Sequence, residues 1–164
     1  MPGNPGTAQI ATNINGSAKD FEAVKKCVLE NNISLVVVGP EDPLVSGLQD
    51  KFTADAQLKD VLFVGPCQRG AMLEGSKDFA KEFMVKHNIP TAAYKSFTKE
   101  TVDQADEFLS TLNPPYVLKA DGLAAGKGVL ILDSLEQAQK ELREMFSGKF
   151  GNAGNTVVIE QFLK

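Results

Sequence analysis

The sequence of 164 residues is poor in the residues that build metal centres and disulfide frameworks. It has one histidine, which excludes a metal site made of several imidazoles. Its two cysteines, Cys27 and Cys67, are far apart and lack the spacing of metal ligands. Two free thiols in a chain of this size suit a reducing cytoplasm.

The sequence also lacks a basic excess and a long apolar run. Its formal net charge is −4, whereas general nucleic-acid binders usually carry a basic surplus. No apolar run approaches the roughly 20 residues of a membrane-spanning helix, and no secretory segment is visible. With 43% hydrophobic residues, the composition is typical of a globular protein. We expect a cytoplasmic protein that binds neither nucleic acid nor membrane.

Residues 1–66 alternate helix and strand in the manner of a parallel α/β sheet. Ser17 is the predicted cap of the first helix. The apolar runs 33–38 and 61–64 predict strands that are covered on both faces, and a helix is predicted between them at about 44–52. A doubly wound sheet normally opens with a strand and a glycine turn, so we expect this Rossmann-like domain to be partial.

The second half of the chain predicts a different fold. A linker and a helix capped by Ser76 occupy residues 67–90. Residues 91–164 follow the order β-α-β-β-α-β, which forms an antiparallel sheet with its helices on one face. The strands are predicted at about 92–97, 116–120, 128–132 and 156–161, the helices at 98–112 and from Ser134, and a loop at 150–155.

Three glycines and two lysines lie in or beside the short loop between the second and third predicted strands of this half. Gly122, Gly126 and Gly128 allow backbone N–H groups to turn toward one concavity, and such nests bind anions. Lys127 adds positive charge at the end of the loop. Lys119 lies on the strand before it, where a buried lysine needs an anionic partner. A phosphate-holding hairpin is therefore predicted; the alternative is an ordinary glycine-rich hairpin with solvated lysines.

Two common phosphate loops do not match this hairpin. A Walker A loop needs four residues between its glycines and a hydroxyl residue after its lysine. Here three residues separate Gly122 from Gly126, and Gly128 follows Lys127. A dinucleotide-binding fingerprint would need a third glycine at Ile131 and a helix after it, where a strand is predicted.

The stretch 119–129, Lys-Ala-Asp-Gly-Leu-Ala-Ala-Gly-Lys-Gly-Val, resembles the glycine-rich lid of the ATP-grasp superfamily. Within that superfamily it is similar to the phosphoribosylamine–glycine ligase family, also called the glycinamide ribonucleotide synthetases. Other segments resemble this family in the same order: substrate loops at 2–7 and 38–44, the start of the ATP-grasp region at 75–81, and the strand to the adenine hinge at 157–163. The resemblance implies a substrate-binding domain at 1–66 and an ATP-grasp lid subdomain at 91–164.

The resemblance implies that the protein joins glycine to 5-phosphoribosylamine through glycyl phosphate. The products would be glycinamide ribonucleotide, ADP and phosphate, in purine synthesis. The residues implied for ATP are Lys77, Lys119, Gly122, Gly126, Lys127, Gly128, Glu160 and Leu163. The residues implied for the sugar-phosphate substrate are Asn4, Gly6, Thr7, Gly39, Pro40 and Glu41, for which turn chemistry is the alternative.

Individual roles follow from the same resemblance. Lys119 would touch the α- and β-phosphates, and Glu160 and Leu163 would line the adenine. Lys77 resembles the first nucleotide lysine of the superfamily, with a solvated lysine as the alternative. Lys81 is expected to be solvated. Asp121 has no predicted partner beyond backbone N–H groups of its own loop.

The family has a strand and a glycine-rich turn ahead of the 2–7 loop, and acidic and asparagine ligands for Mg²⁺ beyond residue 164. We therefore expect a front-half fragment with its Mg²⁺ ligands outside the chain, and neither catalytic residues nor an oligomeric state are predicted. The alternatives are a non-catalytic nucleotide-binding fragment, a regulatory or scaffold protein, and another ATP-grasp ligase such as a biotin-dependent carboxylase subunit. The paired loops near positions 4 and 41 favour the glycine ligase.

Overall fold

The computed structural model describes residues 1–124 and 126–163. Ala125, which belongs to the predicted phosphate loop, lies outside the described residues. The chain divides into two compact units, the first at 1–71 and the second from residue 72 onward. In the described part of the chain, no helix has the length and apolar character needed to cross a bilayer.

The first unit contains a two-stranded parallel sheet, as the alternation of helix and strand predicted. Its elements are α1 (Phe21–Glu30), β1 (Leu35–Val37), α2 (Glu41–Val45), α3 (Leu48–Ala54) and β2 (Leu62–Val64). Val36 lies opposite Phe63 in the sheet. Both side chains pack against buried residues of α1 and α3, which include Val28 and Phe52. The core of this unit is therefore on one side of its sheet.

The prediction that both faces of these strands are covered was wrong. Leu35, Val37, Leu62 and Val64 lie on the other face and are 49–68% exposed. Because α1 and α3 pack on the same side, they leave this face to solvent. An apolar run shows that both faces of a strand are apolar, but it does not show that the same chain covers them.

Two boundaries in this unit also differ from the prediction. The cap of α1 is Asp20, whose Oδ1 accepts a 3.1 Å hydrogen bond from the backbone N of Ala23. Ser17 instead accepts from the backbone N of Lys19 in the preceding turn. The helix predicted at 44–52 is two helices, α2 and α3, separated by Gly47 with a φ of +82°.

The second unit has the predicted β-α-β-β-α-β order and an entirely antiparallel sheet in its described residues. α4 (Gln68–Gly75) spans the boundary between the units. The elements that follow are α5 (Lys77–Lys86), β3 (Tyr94–Thr98), α6 (Val102–Thr111), β4 (Tyr116–Ala120), β5 (Val129–Leu132), α7 (Leu135–Glu144) and β6 (Thr156–Gln161). The spatial order of the strands is β3-β6-β4-β5. The segment predicted as a loop at 150–155 contains a 3-10 helix, Gly151–Asn155.

The two faces of this sheet differ. On one face, α6 and α7 bury Leu109 and Leu142 against strand residues such as Leu118 and Ile159, all fully buried. The alternation of side chains along a strand places Lys119 and Glu160 on the opposite face. Part of that opposite face is covered by α5. The part over β5 is open, and it is there that the candidate site lies.

Candidate functional site

The sheet register brings Lys119 of β4 and Glu160 of β6 together. Lys119 lies opposite Val158 and Val117 lies opposite Glu160, so the lysine and the glutamate are diagonal neighbours on one face. Nζ of Lys119 lies 2.9 Å from Oε1 of Glu160. The glutamate side chain is buried and the lysine side chain is 27% exposed. The anionic partner that Lys119 required is therefore supplied, in this structure, by the protein itself.

A cavity of about 300 Å³ opens beside this pair. Its lining residues are Ala92, Val117, Lys119, Val129, Ile131, Glu160, Gln161, Phe162 and Leu163. The walls are mostly apolar, and the charged side chains of Lys119 and Glu160 also line the cavity. Such a combination suits a flat apolar ring with an attached anion. Predicted ATP residues from two distant segments, Lys119 and the pair Glu160 and Leu163, thus line one cavity.

The glycine-rich hairpin follows β4 directly. Its base is held by the backbone N of Ala120, which donates a 2.7 Å hydrogen bond to the carbonyl of Gly128. Gly126 has a φ of +76°, which favours glycine. Gly128 leaves room for the side chain of Ala124, because a Cβ at residue 128 would lie 2.7 Å from Cβ of Ala124. Lys127 is exposed at the end of the hairpin.

The start of the hairpin is joined to the N-terminus of α5. The carboxylate of Asp121 accepts hydrogen bonds from Oγ of Ser76 at 3.0 Å and from the backbone N of Asp78 at 2.8 Å. Nζ of Lys77 donates to the backbone carbonyls of Asp121 and Gly122, at 3.4 and 3.3 Å. Asp121 therefore bonds to α5 instead of to its own loop, and Lys77 lies at the root of the hairpin.

Lys77 is an unusual lysine in this position. Burial lowers the pKa of its ammonium below the ordinary 10.5; the charge of Asp121 opposes this shift, and that of Lys119 adds to it. An ammonium that is partly desolvated and directed at backbone carbonyls gains from a nearby anion. A fully solvated lysine was the alternative for this position, but the side chain of Lys77 is half-buried.

The sequence-based expectation that Lys81 is solvated was wrong. Lys81 is buried, at 6% exposed, and its Nζ lies 3.1 Å from Oε2 of Glu160. A signal was present in the sequence, because Lys81 shares a helix face with Lys77, Ala80 and Met84 at helical spacing. A lysine on the inward stripe of a helix needs a buried partner, and sequence spacing alone does not identify that partner.

The candidate substrate residues of the 2–7 loop form a closed hydrogen-bonded turn. The backbone N of Asn4 donates to Oγ1 of Thr7 at 2.8 Å, and the backbone N of Thr7 donates to Oδ1 of Asn4 at 3.0 Å. Thr7 also donates to Oδ1 of Asn13. Gly6 precedes the 3-10 helix Thr7–Gln9 as its cap. The hydrogen bonds described for Asn4 and Thr7 stay within residues 4–13.

The second candidate loop follows β1. Gly39 and Pro40 line a largely apolar cavity of about 250 Å³ at the edge of the parallel sheet, together with Met1. Pro40 is the cap of α2, and Glu41 is the first residue of that helix, with an exposed side chain. Asp42 forms an ion pair with Lys19. These residues lie at the carboxyl end of a parallel strand, where open α/β sheets commonly bind ligands.

Metal-ligating side chains do not cluster in the described residues: no group of three or more His, Cys, Asp or Glu side chains is placed to hold a metal ion. Both cysteines are free thiols, Cys27 half-buried and Cys67 exposed. In the described residues, the features that could bind a ligand in the second unit are the cavity lined by Lys119 and Glu160 and the glycine-rich hairpin.

The antiparallel sheet, the hairpin between β4 and β5 and the cavity on the open face together define an ATP-grasp fold. Comparison with known families agrees. Residues 75–164 match the ATP-grasp (A) domain of phosphoribosylglycinamide synthetase, and residues 1–74 match the N domain of the same enzyme. The chain belongs to the phosphoribosylglycinamide synthetase family.

Individual relatives support the assignment. The phosphoribosylamine–glycine ligase of Haemophilus influenzae is 48% identical over 99% of the chain and 37% of its own length. The crystal structure of the enzyme from Thermotoga maritima superposes with a TM-score of 0.73, at 33% identity, over 99% of the chain and 37% of its own. The biotin carboxylase domain of Hydrogenobacter thermophilus 2-oxoglutarate carboxylase shares the fold, with a TM-score of 0.68 and 21% identity over 94% of the chain and 34% of its own. The chain thus spans 37% of the length of the ligases it matches.

Proposed function

We propose that this chain provides the nucleotide-binding part of an ATP-dependent ligase that joins glycine to 5-phosphoribosylamine. The observation that carries the proposal is the cavity beside β4, β5 and β6, lined by apolar side chains and by Lys119 and Glu160. Family membership and the names of the relatives support the substrates. In this proposal residues 91–164 act as the lid subdomain and residues 67–90 connect it to the substrate domain.

The residues of the cavity fit ATP. The adenine ring would lie against the apolar wall that includes Val117 and Ile131, near Leu163. The phosphates would extend toward Lys119, with Lys77 at the root of the hairpin and Lys127 at its end. A cavity with apolar walls and a cationic end favours such a ligand because burial of the ring and attraction of the phosphates act together.

The chemistry implied by the family is activation of a carboxylate. ATP transfers its γ-phosphoryl group to the carboxylate of glycine, and the amine of 5-phosphoribosylamine displaces phosphate from the acyl phosphate. Positioning and positive charge are what phosphoryl transfer chiefly needs, and the lysines and the hairpin would supply both. A hairpin that closes over the phosphates would keep water from the acyl phosphate. Mg²⁺ would be held by ligands outside this chain.

The substrate loops are assigned by the same proposal. Gly39, Pro40 and Glu41 would bind the sugar phosphate, together with Asn4, Gly6 and Thr7, whose turn exposes backbone and side-chain groups. The two free cysteines support a cytoplasmic location for the protein.

The proposal is tested by titrating the chain calorimetrically with a non-hydrolysable ATP analogue. We expect Lys119→Met to weaken binding by roughly tenfold or more, because a charged partner of the phosphates is lost. The matched control is Lys140→Met, which removes the same charge from an exposed position on α7, across the sheet. Equal losses in both variants, or no binding by the unmodified chain, would contradict the proposal.

A second measurement tests the reaction. The chain is incubated with Mg-ATP, 5-phosphoribosylamine and either glycine or bicarbonate, and ADP release is followed. Glycine-dependent release would show the complete ligase reaction in this chain. Binding of the analogue without ADP release would show the nucleotide-binding role alone, and bicarbonate-dependent release would favour a carboxylase-type ligase instead.

A further inference from the structure

Lys81 is a buried cation that the proposed ATP site does not explain. The ammonium of Lys81 has three protein acceptors, one for each of its N–H groups. Nζ lies 3.1 Å from Oε2 of Glu160, 2.7 Å from Oγ1 of Thr91 and 3.3 Å from the carbonyl of Ala92. It also lies 5.4 Å from the centre of the Tyr94 ring. A lysine held in this way is not available to contact a ligand itself.

Glu160 is shared between two lysines that lie on different elements. Lys81 of α5 binds Oε2, and Lys119 of β4 binds Oε1, at 2.9 Å. The side chains of Lys81 and Glu160 are buried, at 8% and 7% exposed, whereas that of Lys119 is 27% exposed and lines the cavity. The three groups therefore form a row from the interior to the cavity, with Lys119 at its outer end.

The charges of this row do not cancel. Two ammonium groups and one carboxylate leave one net positive charge at the cavity. If Lys81 were absent, Lys119 and Glu160 would form a neutral pair, and a phosphate would have to compete with Glu160 for the ammonium of Lys119. If Lys119 moved away, Glu160 would then be a buried carboxylate without a counter-ion, which is strongly unfavourable.

We propose that Lys81 is a positioning residue that keeps Glu160 neutralised, so that Lys119 can turn from Glu160 to the phosphates of a bound nucleotide. This inference rests on the proposed nucleotide-binding function. In this proposal Lys81 has an electrostatic role, the neutralisation of Glu160, in addition to its packing between α5 and the sheet. A purely structural role would affect folding but not the difference in affinity between charged and uncharged ligands.

The test compares ATP with adenosine as ligands of the full 164-residue chain, by calorimetry. We expect Lys81→Met to weaken ATP binding by roughly tenfold or more, because it leaves Glu160 to hold Lys119. Adenosine has no phosphates for Lys119 to bind, and Lys81 does not contact the cavity itself. The affinity for adenosine should therefore change by less than about twofold. Lys81→Arg keeps the charge and should bind ATP within about threefold of the unmodified chain.

The double variant Lys81→Met/Glu160→Gln distinguishes charge from packing. It removes one positive and one negative charge, so Lys119 again provides one net positive charge at the cavity. We expect its ATP affinity to exceed that of Lys81→Met by roughly fivefold or more, because the competing carboxylate has been removed. A structural role predicts a double variant that binds no better than Lys81→Met.

The inference is overturned if Lys81→Met keeps the ratio of ATP to adenosine affinity, or if the double variant shows no recovery. If Lys81→Met does not fold, as judged by circular dichroism, the double variant is compared directly with the unmodified chain, and a loss of ATP affinity of about tenfold with adenosine binding retained overturns the inference. If the unmodified chain binds neither ligand, the proposed function fails instead.

Discussion

Asp121 caps a helix that begins forty-odd residues earlier in the chain: its Oδ1 accepts a 2.8 Å hydrogen bond from the backbone N of Asp78. The same carboxylate accepts a hydrogen bond from Oγ of Ser76, which itself caps α5 by accepting from the backbone N of Phe79. A negative charge at a helix N-terminus is favourable because it faces unpaired N–H groups and the positive end of the helix dipole. The first residue after β4 thereby holds the root of the glycine hairpin against α5.

We expect Asp121→Ala to lower the free energy of unfolding by about 1–2 kcal/mol, which lies in the upper part of the range for the loss of a helix cap. The measurement is urea denaturation followed by circular dichroism. Asp133→Ala is the control, since Asp133 is exposed at the end of β5, and its effect should stay within about 0.5 kcal/mol. Similar losses in the two variants would show that Asp121 does not act as a cap.

Lys77 should make stability depend on alkaline pH. Its pKa is lowered in the folded chain by burial, so between that lowered value and 10.5 the unfolded chain binds more protons than the folded one. Stability from this group therefore rises with pH across that window, and its unfavourable contribution is complete below the folded-state pKa. In Lys77→Met the group is absent, so the melting temperature of the unmodified chain should rise relative to that of the variant as the pH rises toward 10.5. A difference that is independent of pH would contradict the prediction.

The hairpin should tolerate a side chain less well at Gly128 than at Gly126. A Cβ at Gly128 would lie 2.7 Å from Cβ of Ala124 and 3.2 Å from Cβ of Ala120, so the hairpin would have to shift. We expect Gly128→Ala to weaken binding of an ATP analogue by roughly tenfold or more, since small displacements of binding groups cost this much.

Gly126→Ala is the comparison for this pair. A Cβ at Gly126 would meet no described atom within 4 Å, but the φ of +76° is strained for alanine. The expected cost is about 1 kcal/mol of backbone strain, measured by urea denaturation, with a smaller effect on binding. A larger loss of affinity in Gly126→Ala than in Gly128→Ala would refute this interpretation of the hairpin.

Substitutions on the two sides of the parallel sheet should differ in how much they change stability. The covered side packs against Phe52 of α3. Phe52 is 2% exposed, and its ring centre lies 4.9 Å from that of Phe63. Phe52→Ala should lower the free energy of unfolding by about 3–5 kcal/mol because it leaves a cavity in the core. Leu62 is 68% exposed, so Leu62→Thr should change stability by no more than about 0.5 kcal/mol.

The second substitution also has a solubility readout. Large exposed apolar patches promote association, so Leu62→Thr should reduce light scattering at high protein concentration. A destabilisation by Leu62→Thr as large as that by Phe52→Ala would show that the exposed face is packed in solution.

Local patterns were enough to predict the antiparallel half of the fold. Strands 116–120 and 156–161 were predicted to the residue, and Ser76 caps α5 as expected. These features depend on neighbours a few positions away, which the sequence displays directly. The cap of α1 was placed wrongly at Ser17, because Ser17 and Asp20 are both suitable caps and only the backbone path selects Asp20.

The candidate site was predicted in its parts but not in its arrangement. The glycine hairpin and Lys119 stand out in the sequence because a lysine within an apolar strand is unusual. That Glu160 would bind Lys119 and Lys81 at once could not be predicted, since the three residues are far apart in sequence and belong to β6, β4 and α5. Their meeting depends on strand order and on where α5 crosses the sheet.

Residue type and spacing alone established that the chain has an α/β part, an antiparallel part and a glycine hairpin with adjacent lysines. These follow from the periods of helix and strand and from the backbone freedom of glycine, which are local properties. The tertiary structure decided which apolar faces are covered and which charges are paired. Burial and ion pairing depend on the distance between groups that the chain brings together only when it folds, and this is why Lys81 is an interior cation and Leu62 an exposed leucine.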